Sequence, residues 1–154
     1  MKIVRPILFS IITVACFDAN ACTWDVIGAR YGIHPYLLAA VAQHESNLDP
    51  AAIRQNKNGS RDIGLMQINS IHLPELAKHG ISEQDLLNPC TNLAVGAWLM
   101  KRHQINYGNT WEAVGVYHSA TPSYKWKYAQ KIQESLDRLV QKYPPAHGLS
   151  AGGR

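Results

Sequence analysis

The chain has 154 residues, with 15 Lys and Arg against 11 Asp and Glu and a formal charge of +4 at neutral pH. The excess is mild and is not gathered into a dense basic run, which argues against nucleic acid as a partner and suits an anionic polymer or surface. The length fits one compact domain.

Lys2 and Arg5 precede an uncharged apolar run, PILFSIITVACF at 6–17, and then ANAC, with Ala19 and Ala21 in the A-x-A positions. This is the pattern of a secretory signal peptide cut after Ala21. The run falls short of the roughly 20 apolar residues of a transmembrane helix. An uncleaved anchor and a lipoprotein signal ending at Cys16 are the alternatives. Cleavage leaves 133 residues carrying 13 Lys and Arg and 10 Asp and Glu, and two cysteines, Cys22 and Cys90. In an oxidising compartment these read most simply as one disulfide tying the mature N-terminus to the body of the fold. Two free buried thiols are the other reading. Two cysteines do not make a typical zinc site.

Residues 24–31 form a short amphipathic helix, and Pro35 can open the next at its first position. Leu38, Val41, Ala42 and Glu45 recur at spacings of three and four, which places Glu45 on the buried stripe. Residues 47–63, NLDPAAIRQNKNGSRDI, are rich in turn formers and contain Asn58-Gly59, so a small β-hairpin region is expected around 53–68. GLMQIN follows at 64–69. Ser82 and Asp85 form a capping-box pattern. Asn88-Pro89 starts a long helix with Leu93, Ala97 and Met100 among its apolar positions, and Gly108 ends it. Thr110 caps WEAVGVY. The last helix follows Pro122, has Ala129, Ile132, Leu136 and Val140 on one face, and stops at Pro144-Pro145. The tail, 143–154, has too little apolar content to pack and reads as disordered. The whole is one mainly α domain over 22–142, without internal repeats.

Glu45 carries the chemical interest. At a helix C-terminus the exposed carbonyls make the potential negative, and burial disfavours a charged carboxylate. Both raise its pKa, and an acid still protonated near neutral pH can give a proton to a leaving group. An acid tucked against a basic neighbour is the plainer alternative. His44-Glu45 does not open a zinc-protease motif, because H-E-x-x-H needs a histidine where Leu48 stands. NKNGSRD is not an EF-hand, because Gly59 as sixth residue makes Arg54 the first ligand and Leu65 the twelfth.

HESNLDPAA at 44–52, GLMQIN at 64–69, NPCTNLAVGAWLM at 88–100 and VGVYHSATP at 114–122 come in an order that resembles the lytic transglycosylase family with the soluble-transglycosylase domain. The resemblance covers roughly residues 22–130 and implies a lysozyme-like, goose-type-lysozyme-like helical fold. The small size, and YHS followed by Thr121-Pro122, look most like the specialised enzymes that accompany conjugation, pilus and type III secretion machines. What this implies is cleavage of the β-1,4 bond between N-acetylmuramic acid and N-acetylglucosamine in peptidoglycan. It further implies a periplasmic monomer without cofactor or metal, with glycan strands as partner and components of a type III or type IV secretion or pilus apparatus as further partners.

The resemblance puts Glu45 at the catalytic acid, which would protonate the glycosidic oxygen and then act as base on the C6 hydroxyl, closing a 1,6-anhydro sugar. That needs one carboxylate, whereas a typical glycosidase needs two. It puts Ser46 beside the acid, to orient it and meet substrate or else to cap the helix end, and Tyr117 at the tyrosine that approaches the carboxylate. The family commonly has asparagine next, and here stands His118, which could bond a sugar hydroxyl or be a partly exposed bystander. The amides of Gln67 and Asn69 suit N-acetyl and hydroxyl groups, with backbone capping the alternative for Asn69. Met66 would add apolar wall. Tyr124 and Trp126 are candidates to stack on sugar rings, with packing the alternative, whereas Trp98 reads as core. Asp62, if it faced Glu45, would permit a lysozyme-type hydrolysis; the turn chemistry around it favours instead a loop aspartate bonded to its own backbone. A catalytically silent peptidoglycan-binding or assembly protein on the same fold is the competing function, and Glu45 at the matching position favours the enzyme.

Overall fold

Helix boundaries follow the capping chemistry of the chain. In the computed structural model, which describes residues 22–144, helix α1 (Trp24–Tyr31) starts where Thr23 Oγ1 accepts from Val26 N at 3.2 Å and ends at Gly32. Helix α2 (Pro35–Ser46) opens on its proline. It stops at two consecutive left-handed residues, Asn47 and Leu48, at φ of 56° and 65°. Their N–H groups return to Gln43 O and Ala42 O, which closes the last turn in Schellman fashion. Helix α4 (Pro89–Tyr107) is capped by Asn88 and α5 (Trp111–His118) by Thr110. The expected reciprocal Ser82–Asp85 bonds are present, and they open a short 3-10 turn over Gln84–Leu87. A four-residue α3 (Leu73–Leu76) and the long α6 (Pro122–Lys142) complete the helices. The expected signal segment and most of the expected tail lie outside the described residues.

Strands β1 (Ile53–Gln55), β2 (Arg61–Ile63) and β3 (Ile68–Asn69) form an antiparallel sheet in the order β1-β2-β3. The hairpin lies where Asn58-Gly59 placed it, and β3 extends it. Register puts Arg54 opposite Asp62 and Asp62 opposite Asn69, one polar row across the sheet. The next row is Ile53, Ile63 and Ile68. Ile63 and Ile68 are buried in the core, together with Ile27, Leu38, Val41, Met66, Leu86, Met100 and Ile132. Asp62 is therefore not a loop residue bonded to its own backbone, as the surrounding turn formers suggested. It is a strand residue with cross-strand partners.

The link from sheet to helices is the turn at Gly64–Gln67. Its backbone is buried, so its polar groups need protein partners. Asn92 of α4, fully buried, accepts from Met66 N at 2.7 Å and donates to Ile63 O at 2.8 Å and Leu86 O at 2.7 Å. Ser46 Oγ donates to Leu65 O at 2.7 Å, and Tyr117 Oη to Met66 O at 2.9 Å. Gly64 sits at φ 74°, and a Cβ there would also strike the Leu86 carbonyl oxygen and Asn92. Gly96 leaves room for Met66, whose Cβ and Cγ would lie 2.8 Å from an added methyl. Helices α2, α4 and α5 thus each hold the same turn by one side chain.

Cys22 and Cys90 are joined, with Cα atoms 5.5 Å apart, and pin the start of α1 to the start of α4. Lys125, buried along its stem, pairs with Glu112 at 2.6 Å and fastens α6 to α5. No helix among the described residues is long and apolar enough to cross a membrane.

Two stability measurements follow from this packing. Asn92→Leu strands the Met66 N–H and two carbonyls in the core, so it should cost at least about 3 kcal/mol. A urea midpoint within error of wild type would show that the turn does not depend on Asn92. Cys22→Ser with Cys90→Ser should cost about 2–5 kcal/mol, and mass spectrometry of the wild type should find neither Cys22 nor Cys90 alkylated when it is denatured without reductant.

Candidate active site

The end of α2 determines where the acid goes. Glu45 is one residue before Ser46, whose hydroxyl is bonded to the buried turn, so the carboxylate is delivered beside the polar face of the sheet. Only 8% of its side chain is exposed. Tyr128 Oη, from α6, donates to Glu45 Oε1 at 2.6 Å. Arg54 lies 4.0 Å from Oε2 through Nη2. The same guanidinium is committed to Asp62, with Nη2 at 3.1 Å and Nε at 3.3 Å from Oδ2. Asn69 Nδ2 donates to the other oxygen of Asp62 at 2.7 Å.

Burial dominates the protonation of Glu45 and raises its pKa, and the charge of Asp62 pushes the same way. The Tyr128 bond and the more distant Arg54 oppose that shift without reversing it. The helix therefore presents an acid that holds its proton more tightly than a surface glutamate. Tyr117 and Tyr128 are pushed well above the ordinary phenol range, first by burial and then by the Glu45 charge, so both stay neutral donors.

A cleft of about 890 Å³ opens over this group, with Glu45, Arg54, Asp62, Asn69, His118 and Tyr124 on its walls. His118 stacks flat on the Tyr128 ring, centroids 4.8 Å apart and planes at 3°, and His44 meets the same ring edge-on at 5.3 Å. Burial lowers the pKa of both histidines, and Lys131 and Arg54 lower them further. A separate groove of about 550 Å³ beside the disulfide is lined by Ile27, Tyr31, Leu76 and Trp98 among others, and holds no carboxylate. Proton chemistry belongs to the first cleft.

The residues expected to touch substrate divide into two groups. Glu45, Asn69, Tyr117, His118 and Tyr124 line the cleft, Tyr124 as an exposed rim residue. Ser46 and Met66 do not: the serine is bonded to Leu65 O, and the methionine is fully buried against Gly96. These are corrections, because neighbours of a motif residue along a helix or tight turn point elsewhere. Gln67 reaches the cleft, but its amide nitrogen is used by Ala52 O and Gly64 O. Asn69 caps the turn after it through Oδ1 and supports Asp62 through Nδ2. Trp126 is 51% exposed under the Lys125 ammonium and is not on the cleft wall. Tyr117 bonds the turn, and the phenol on the acid is Tyr128.

Three residues escaped the sequence reading: Arg54, Tyr128 and Asn92. A signal existed for two. Arg54 and Asp62 stand equally far on either side of Asn58, the register a hairpin centred there demands. Tyr128 is four residues before Ile132, on the stripe already identified by period. Nothing in the local sequence marks Asn92.

Comparison with known proteins agrees with this geometry. The transglycosylase SLT domain matches residues 23–138. The invasion protein IagB of Salmonella typhimurium (strain SL1344) is 41% identical over 139 residues, which cover 85% of this chain and 87% of that protein. The protein IpgF of Shigella flexneri is 40% identical over 120 residues, 77% of this chain and 79% of its own. Among solved structures, an inactive mutant of the lytic transglycosylase Slt from Pseudomonas aeruginosa aligns with a TM-score of 0.64 at 21% identity, over 80% of this chain and 24% of that longer one. At that identity the likeness shows the lysozyme-like fold. The chain belongs to the transglycosylase SLT domain family and is a peptidoglycan lytic transglycosylase.

Proposed function

We propose that Glu45 acts alone as acid and then as base, that the product ends in 1,6-anhydro-N-acetylmuramic acid, and that the enzyme works in the periplasm to open the wall locally for a secretion apparatus. The observation that carries the mechanism is the unequal treatment of the two carboxylates. Glu45 is buried, accepts one phenol bond and is shifted toward its protonated form. Asp62 has both oxygens engaged, one by Arg54 and one by Asn69. A water-using glycosidase needs its second carboxylate free to act as nucleophile or to activate water. Asp62 instead holds Arg54 away from Glu45.

The reaction then needs one proton and one carboxylate. Glu45 gives its proton to the glycosidic oxygen as the bond from the muramic C1 breaks, and N-acetylglucosamine leaves with a free 4-hydroxyl. The Tyr128 phenol supports the carboxylate formed in between. The muramic C6 hydroxyl attacks C1 of its own ring, and Glu45 takes the hydroxyl proton, which resets the acid. An intramolecular nucleophile held near C1 competes at an effective molarity of about 10⁵–10⁸ M, well above water at about 55 M. His118 and Tyr124 are assigned to contacts with sugar along the cleft. The role in secretion is supported by the invasion protein among the relatives.

Glu45→Gln keeps the shape and should lower release of soluble muropeptides from sacculi by about 10²–10⁴-fold. Retained activity would move the acid elsewhere. Mass spectrometry of wild-type products should find them lighter by one water than hydrolysed fragments and without a reducing end. Asp62→Asn should leave that product unchanged; loss of a reducing product in this variant would instead make the enzyme a two-carboxylate hydrolase.

The pH profiles of two variants should move in opposite directions. Activity needs Glu45 protonated, so it falls as pH rises through the Glu45 pKa. Tyr128→Phe removes a bond that favours the carboxylate, so that pKa rises and the alkaline limb moves up. Asp62→Asn removes a repelling charge and releases Arg54 toward Glu45, so the limb moves down. Limbs that stay put or move together would contradict the coupling.

A further inference from the structure

Next to the cleft lies a recess of about 240 Å³ lined by His44, His118, Tyr124, Lys127, Tyr128 and Lys131. It shares His118 and Tyr124 with the cleft, so one wall serves both. Tyr124, Lys127, Tyr128 and Lys131 recur at spacings of three and four along α6 and form a single stripe. His44 comes from the end of α2 and His118 from the end of α5.

The recess carries cations without a counter-ion. Lys127 and Lys131 are exposed, and neither is in an ion pair among the described residues. They stand at i and i+4, where like charges repel. No carboxylate lines the recess. The Tyr128 hydroxyl is spent on Glu45, so the polar groups left to meet a ligand are the two ammonium groups, the imidazoles and the Tyr124 hydroxyl. Such a set selects an anion, and a flat ring on one side with a lysine stripe on the other suits a carboxylate on a flexible chain.

We propose that this recess is a subsite for a free carboxylate of the peptide stem carried by a muramic acid bound in the adjoining cleft. The assignment rests on the reading of the cleft as a peptidoglycan site. The sugars of the glycan are N-acetylated and neutral, and the lactyl group is amide-linked to the stem. The stem carboxylates are the anions that a sugar in the cleft brings with it. The cleft therefore reads the glycan, and the α6 stripe reads whether a charged stem is attached.

The test is calorimetric binding of the soluble disaccharide-tetrapeptide N-acetylglucosaminyl-N-acetylmuramoyl-peptide, which lacks the scissile linkage, against the same molecule with its carboxyls converted to carboxamides. Wild type should bind the amidated ligand about tenfold more weakly, the loss of one charge-assisted contact. Lys127→Met with Lys131→Met should bind the charged ligand as weakly as the amidated one. Lys127→Arg with Lys131→Arg should restore the preference. Equal affinity of wild type for both ligands, an unchanged preference in the methionine variant, or no binding of either ligand at millimolar concentration overturns the subsite. Wild-type digestion of sacculi separates the two readings. Cleavage without a charge preference removes the subsite and leaves the enzyme reading intact, and a charge preference without cleavage does the reverse.

Discussion

Burying the backbone of the Gly64–Gln67 turn is the constraint on which the site depends. Turns normally lie at the surface, where water satisfies their polar groups. This one is packed between the sheet and three helices, so every solvent-starved N–H and C=O must find a protein partner. Asn92, Ser46, Tyr117 and the side chain of Gln67 supply them. The bonds of Asn92, Ser46 and Tyr117 also fix the position of one helix each. Ser46 is the link with the most direct chemical consequence, because the residue before it is Glu45. A small rotation of α2 would break the Ser46–Leu65 bond and turn the acid away from the cleft together.

The electrostatics of the cleft follow from the same register. The polar row Arg54–Asp62–Asn69 crosses the sheet beside Glu45, and its one cation serves its own carboxylate and that of Glu45. The guanidinium approaches Asp62 closely through two N–H groups and stands at the edge of reach of Glu45. Burial raises the Glu45 pKa most and the Asp62 charge adds to it, against the opposing Tyr128 bond and Arg54. Two carboxylates in one cleft are thereby given different surroundings, Glu45 buried under a single phenol bond and Asp62 engaged at both oxygens. Arg54 is itself 55% exposed, so solvent weakens its hold on Glu45 further.

Much of this was legible in the sequence, for reasons tied to period and capping. Glu45 was readable because a helix repeats every 3.6 residues and Leu38, Val41 and Ala42 define the buried side. Proline, threonine and asparagine caps marked the helix starts, and Asn58-Gly59 marked the hairpin. What stayed hidden depends on contacts between distant segments. Asn92 looks like any polar residue in a helical run until the turn it serves is brought against it. Met66 and Ser46 were assigned to substrate because they belong to the matching motifs, yet successive residues of a tight turn or helix point away from one another. Tyr117 was expected at the acid for the same reason: the order of the chain does not say that the Tyr128 ring reaches the acid and the Tyr117 ring the turn. Asp62 was misread because turn formers surround it, although counting outward from Asn58 pairs it with Arg54.

His118 shows how a departure from the family pattern changes the support of the acid. The position commonly holds asparagine, which would offer a hydrogen bond but little surface. Histidine instead lays a ring flat against Tyr128, and His44 adds a second contact edge-on. Aromatic contacts of this kind restrict the ring more than they bind it. The Tyr128 hydroxyl is consequently aimed by its neighbours at Glu45 Oε1, and it cannot swing toward solvent without parting from both rings. The support of the acid is therefore distributed over α2, α5 and α6, whose packing against one another is set by the core and by the Lys125–Glu112 pair. A single carboxylate that must act as acid and then as base returns to the same geometry twice in each cycle, and a phenol fixed by packing costs little reorganisation either time.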